Sequence, residues 1–226
     1  MKSLEGITLK KGAHCKSKTP EDGMCAMEVV SWLADEDTTD APACTCPVIA
    51  SVVRPWNDGM GEDDETRTRI LTPLLPKLLG TRIADDAVLL KRMYMVVDWQ
   101  IRVYAPAFLR AAGLGEAADA LANLPEISDD ERLIGSVSVT SAARSAARSA
   151  ARSAAESAAR SAAESAAWSA AESAARSAAW SAARSAAESA AESAAWSAAW
   201  SALDPTVKEL QASTASLILR MCEVIS

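Results

Sequence analysis

The sequence predicts an all-α protein: an N-terminal helical domain, one long continuous alanine-rich repeat helix, and a short C-terminal amphipathic helix. Three observations predict it. Residues 141–200 are fifteen uninterrupted copies of Ser-Ala-Ala-X, and no Gly or Pro occurs between Ser136 and Asp204. The apolar residues ahead of the repeat recur at helical spacing between Pro and Gly punctuation. No two alternating segments flank a hairpin turn.

Taken in order, residues 1–20 read as a loose lead-in with Gly6, Gly12 and Pro20. Met24, Met27, Val30 and Ala34 then share one helical face, and the acidic residues before them suit the positive end of a helix dipole. Pro47 fits the first turn of a second helix that buries Val48, Ile49, Val52 and Val53, with Pro55 disturbing its end and Trp56-Asn57-Asp58-Gly59 stopping it. A third helix begins near residues 61–65, is kinked by Pro73 and Pro76, and stops at Gly80. From Ala84 to Tyr104, Leu89, Met93, Val96, Val97, Ile101 and Tyr104 make one stripe, punctuated by Pro106. A shorter helix through Phe108 and a small one from Glu116 to Leu124 follow, then a brief turn at Asp129–Leu133. The β-branched, polar stretch 135–140 is expected to be a hinge. The boundaries are therefore 1–134 for an acidic helical domain, 135–140 for the hinge, 141–203 for the repeat helix, and 204–226 for the C-terminal helix. In that last element Asp204 is placed as N-cap, Pro205 as first helical residue, and Val207, Leu210, Leu217, Ile218, Met221 and Val224 as an apolar face that needs a partner.

Alanine is the best helix former and Arg and Glu are good ones, so the repeat is expected to span roughly 90 Å as one helix. Its period of four sets its surface. Each X residue advances about 40° around a straight helix, so Trp168, Trp180, Trp196 and Trp200 do not share a face. Two arrangements fit: a solvated rod with i,i+4 pairs such as Glu156–Arg160 and Glu172–Arg176, or a right-handed supercoil against a partner. A break into antiparallel segments finds no turn residue to support it. Four tryptophans on a bare rod favour packing, which makes Trp168, Trp180, Trp196 and Trp200 the candidate partner-binding residues.

Composition narrows the classes. Of the 50% apolar residues, thirty are repeat alanines that bury little. Six Arg against five Glu give the repeat +1 of the chain's −7, leaving −8 outside it. That balance argues against a nucleic-acid binder, which shows a broad basic face. No stretch is apolar enough for a membrane span or a secretory signal, and five irregularly spaced cysteines fit a reducing cytoplasm.

His14, Cys25, Cys44 and Cys46 are the candidate metal ligands, because His and Cys are the usual zinc donors. Their spacing lacks the C-x₂-C knuckle, and buried thiols are the simpler reading. Cys25, near a helix start, could pair with His14 as nucleophile and base, although no orienting residue or oxyanion motif accompanies them. The acidic run Asp58 and Glu62 to Glu65 reads as a solvated helix start before a cation site. Trp32, Trp56 and Trp99 read as core. Ice binding is disfavoured because Arg, Glu and Trp sweep every side of the repeat, and slippage of a short DNA repeat would account for its length. No catalytic constellation and no cofactor motif is present.

The string Gly12-Ala13-His14, Glu21-Asp22-Gly23-Met24-Cys25-Ala26-Met27-Glu28, Trp32-Leu33, Cys44, Pro47-Val48-Ile49-Ala50 and Arg54 with Trp56-Asn57-Asp58 resembles an uncharacterised family of helical proteins from actinobacteria and their phages. The resemblance covers about residues 10–125 and implies an established domain without an activity, cofactor or catalytic residue. The repeat is similar in composition to those of some alanine-rich immunity proteins. The expected function is a non-enzymatic structural or interaction protein, a helical domain carried on or oligomerised through the repeat stalk. Its partners would be another protein, or its own copies through the repeat and C-terminal helix. The alternatives are a phage or bacterial regulatory or immunity-type binding module, and a Cys/His metal protein or enzyme.

Overall fold

The structure is a computed structural model that describes residues 2–13, 19–20, 23–173 and 203–225, with the side chains of 154–173 outside that description. Its regular elements are helical: α1 (Ala26–Leu33), α2 (Pro47–Gly59), α3 (Asp64–Leu71), a 3₁₀ turn (Thr72–Leu74), α4 (Leu75–Leu78), α5 (Asp86–Trp99), a π segment (Gln100–Tyr104), α6 (Ala105–Ala111), α7 (Gly115–Ala122) and α8 (Asp130–Ser173). Residues 203–223 form a last helix, α9. Among the described residues the one β feature is an isolated parallel bridge between Leu9 and Met24.

Proline and glycine set most of these boundaries. Pro47 opens α2, Pro73 and Pro76 divide the third helical region into three short pieces, and Gly80 turns the chain at φ +68°. Pro55 departs from expectation. It lies inside α2 rather than ending it, on an exposed side where water serves the carbonyl its missing N–H leaves unbonded. Pro106 falls in the first turn of α6, directly after the π segment; widening the ring by one residue absorbs the bond that Pro106 cannot donate.

The hinge at 135–140 is not found, because α8 runs through it without interruption. Asp129 caps α8 by accepting the Arg132 N–H at 2.9 Å. The polar residues then bond back onto the helix: Ser136 Oγ donates to the Leu133 carbonyl at 2.7 Å, and Thr140 Oγ1 to those of Ser136 and Val137. Their hydroxyls are satisfied within the helix, so they do not compete with it.

Two compact units divide the chain: Met1–Gln100 with Glu126–Arg132 and Leu210–Ser226, and Ile101–Pro125 with Leu133–Glu209. The first unit is built around α1, whose Ala26, Met27, Val29 and Val30 are buried and which packs on α2 and α4. The same core takes in α9, which buries Leu210, Thr214, Leu217, Ile218 and Met221 at helical spacing. In the second unit α6 packs on α7 around Pro106, Ala118 and Leu121, with Arg110 paired to Asp119 at 2.8 Å and Tyr104 tilted on Phe108 at 5.0 Å.

Helix α5 is rotated from the expected stripe. Val88, Arg92 and Trp99 face the core, while Met93 is 48% exposed, as is Leu90, and Tyr104 lies 44% exposed. The sequence offers apolar residues on more than one side of this helix. The side that was chosen carries a buried arginine, for a reason found at the C-terminal end of α9.

Candidate functional site

The last four carbonyls of a helix have no partner within it and carry the negative end of its dipole. At the end of α9 they meet Arg92. Its Nε donates to the Met221 carbonyl at 2.9 Å, Nη2 to the Val224 carbonyl at 2.7 Å, and Nη1 to the Thr81 carbonyl at 2.5 Å. A guanidinium offers five donors in a planar fork, so one side chain serves three carbonyls on two separate segments. Arg92 is 1% exposed, so these bonds form away from water.

Thr81 ties this contact to the rest of the unit. Its Oγ1 accepts the Cys46 N–H at 3.0 Å, at the start of α2, and donates to the Leu78 carbonyl at 2.8 Å, at the end of α4. Two helical turns along α5 beyond the arginine, Trp99 Nε1 donates to Ser213 Oγ at 2.8 Å. Together Arg92, Thr81 and Trp99 form a seat for α9 made of one cation, one hydroxyl and one indole. Burial pushes the neighbouring Cys222 thiol up to about 11, against the lowering effect of Arg92.

A second buried arginine organises the N-terminal segment. Arg67 Nε donates to the Asn57 carbonyl at 2.8 Å, and its other nitrogens reach the Leu9 and Gly61 carbonyls and the Asp64 carboxylate. Asn57 completes the hub by accepting the Ala26 N–H at 3.2 Å and donating to the Lys10 carbonyl at 3.0 Å. Four of the five acidic residues of the run are engaged here. Asp64 pairs with Lys10 at 2.6 Å, Glu62 with Lys11 at 3.0 Å, Asp58 accepts the Gly12 N–H at 2.8 Å, and Asp63 caps α3 through the Thr66 N–H at 2.9 Å. A hydrogen bond from Lys10 leads the causes that hold the Asp64 carboxyl below the usual carboxylate range.

Cys25 is the N-cap of α1, as its sequence position suggested, and its N–H donates to the buried Glu28 carboxylate at 2.9 Å. Burial outweighs the helix N-terminus there and pushes the thiol up to about 12, the reverse of an activated nucleophile. Cys44 is half-buried beside Thr45 and also raised, chiefly by burial, while Cys46 is buried as N-cap of α2. Among the described residues no three His, Cys, Asp or Glu side chains gather as metal ligands would. His14 lies outside the described residues, so its pairing with Cys25 does too. Trp168 falls on α8 with its side chain outside the description, and Trp180, Trp196 and Trp200 lie wholly outside it, as do the Glu156–Arg160 and Glu172–Arg176 pairs. Trp99 is buried as expected, but Trp32 and Trp56 are only half-buried; Lys2 Nζ sits 4.8 Å from the Trp32 ring centre.

Sequence reading missed Arg67, Arg92, Asn57 and Thr81. The available signal was Arg92 itself, a lone cation four residues after Val88 and seven before Trp99, on one helical face. Among the described residues no helix is long and apolar enough to cross a membrane. Comparison of the chain with family models, with curated proteins and with solved structures finds no match.

Proposed function

We propose that this chain is a non-enzymatic structural or interaction protein, a helical unit carried on or oligomerised through its alanine-rich repeat. One observation carries the reading. The chain leaves the first unit after Arg132 and re-enters it at Leu210, and Arg92 fastens the C-terminal helix at its far end, through the Met221 and Val224 carbonyls. The repeat is therefore flanked on both sides by elements of one core. Thirty alanines and fifteen serines add little apolar burial of their own and much helical length. A cytoplasmic setting suits the free thiols of Cys25, Cys44, Cys46 and Cys222. Deleting residues 141–200 tests the reading, with light scattering for mass and affinity capture for partners. Loss of assembly or of partner binding is expected. A deletion that changes neither overturns the proposal.

A second reading, a regulatory or immunity-type protein-binding module, is favoured by the outward face of α5. Leu90 and Met93 are each 48% exposed, on the side opposite Val88, Arg92 and Trp99. Leu90→Glu with Met93→Glu would abolish capture of a partner held there and leave the fold intact. Capture unchanged by that pair excludes this face.

A further inference from the structure

The first turns of α8 are covered on one face and bare on another. With Val137 at zero and about 100° per residue, Ser136, Thr140, Ala143, Ala147 and Ala150 fall between about 220° and 300°. That face is covered: Ser136 is 2% and Ala143 6% exposed, and the other three are half-buried. A second stripe, Asp130, Ile134, Val137, Ser141, Arg144 and Arg148, falls within an arc of about 80° on a different side by the same arithmetic. All six are exposed, Ile134 at 71% and Val137 at 58%. Their alternating spacing of four and three residues is that of a helix-pairing seam, and α8 is one unbroken helix through them.

The bare stripe is complementary to itself. Set antiparallel to a copy at the level of Val139, it places Asp130 opposite Arg148, Ile134 opposite Arg144 and Val137 opposite Ser141. Each pair occurs twice, as an isologous contact requires. The aliphatic residues then lie at the centre, where the Arg144 stem covers Ile134 and its guanidinium stays in water. The Asp130–Arg148 pairs close the seam about 13 Å to either side. A parallel pairing in register would instead set Asp130 on Asp130, Arg144 on Arg144 and Arg148 on Arg148, which like-charge repulsion opposes. Among the described residues no carboxylate pairs with Arg144 or Arg148. Asp130 takes the Tyr94 hydroxyl at 2.7 Å, and a carboxylate has further lone pairs for a cation. Ile134 and Val137 favour a helix over a phosphate backbone as the occupant, because phosphates offer aliphatic side chains nothing to pack on.

We infer that α8 pairs with α8 of a second copy of this chain, antiparallel about a twofold axis level with Val139, through the stripe from Asp130 to Arg148. This rests on the proposed self-association and names the surface that serves it. Six residues a side fall below the roughly 20–30 of a stable interface, so the pairing is reversible and depends on concentration.

The test is sedimentation equilibrium of the full chain from micromolar to millimolar concentration, with circular dichroism confirming that each variant keeps its fold. The mass should rise from 23.7 kDa towards twice that value. Arg148→Asp, which sets like charges together in both outer pairs, should weaken the dimer about tenfold. Adding Asp130→Arg should restore it, because the exchanged charges are again complementary in the antiparallel register and in no parallel one. Ile134→Glu with Val137→Glu, both at exposed positions, should abolish the dimer. A folded double charge variant that regains nothing overturns the antiparallel register. A dimer that none of these substitutions weakens overturns the seam, while self-association survives through another surface. A chain that stays monomeric throughout overturns the seam and the self-association together.

Discussion

Arg92→Met removes the guanidinium and keeps most of the side-chain bulk. Three carbonyls, those of Thr81, Met221 and Val224, lose their donors. Hydrogen bonds to a charged group contribute about 1.5–3 kcal/mol each, but they are not additive. Two of the three acceptors lie at the end of α9, where local fraying lets water replace the arginine. Relief from burying a charge returns part of the loss. A net destabilisation of about 3–5 kcal/mol follows, concentrated on α9. Urea unfolding gives the total, and hydrogen exchange across 210–223 shows where it falls. Arg92→Lys should recover only a minor part, because one ammonium cannot span carbonyls on two segments in the planar arrangement of the fork. A loss below about 1 kcal/mol in Arg92→Met, with α9 protection unchanged, would refute the reasoning. The carbonyls would then have alternative donors, and the arginine would not be what holds α9.

Three further outcomes follow from the local geometry. Gly135 lies within α8 and a Cβ there meets nothing within 4 Å, so Gly135→Ala should stabilise by about 0.5–1 kcal/mol and raise the melting temperature; a true hinge would show no gain. Burial raises the Cys25 thiol from 9.0 to about 12, so the folded state holds this proton more tightly than the unfolded chain. Its contribution is complete below about pH 9 and falls by about 1.4 kcal/mol per pH unit up to about 12, a loss that Cys25→Ser should flatten in denaturation series. Asp64 is shifted the other way, chiefly by its hydrogen bond from Lys10; its contribution is present above the unfolded carboxyl value of 3.8 and is lost as pH falls below it, so Asp64→Asn should make acid unfolding shallower.

The sequence made legible the features whose causes are local. Pro47, Pro73, Pro76 and Gly80 act through their own backbone geometry, so the positions of α2, the divided third region and its stop could be read from residue type. The C-terminal apolar face was legible from its period, and so was its need of a partner. The orientation of α5 was not. Leu89, Met93, Val96 and Val97 make a better apolar stripe than Val88, Arg92 and Trp99, and periodicity selects the better stripe. The fold selects the other because a helix end more than a hundred residues away offers carbonyls to a cation. Arg67 and Asn57 were hidden for the same reason, since their partners at Leu9, Lys10 and Ala26 are backbone groups that leave no mark on side-chain pattern. At 135–140, Gly135 and two valines signal irregular chain, and hydrogen bonds inside the helix override them.

The seat also determines what an empty first unit would be. Arg92 is buried against carbonyl oxygens, and two of its three acceptors belong to the end of α9. The helix is thus the anchored element and also, through the negative end of its dipole, most of the electrostatic compensation for the buried charge. Withdrawing α9 uncovers Leu217, Ile218 and Met221, each worth about 1.5–3 kcal/mol of burial, and leaves a guanidinium held in an apolar seat with one acceptor. Such a unit lowers its free energy by opening around Arg92 to admit water, which also disturbs Thr81 and, through it, the start of α2 and the end of α4. Loss of α9 and loosening of the first unit are therefore one event. A docking that costs this much to leave vacant keeps the two chain segments bordering the repeat, Glu126–Arg132 and Leu210–Ser226, in one filled core.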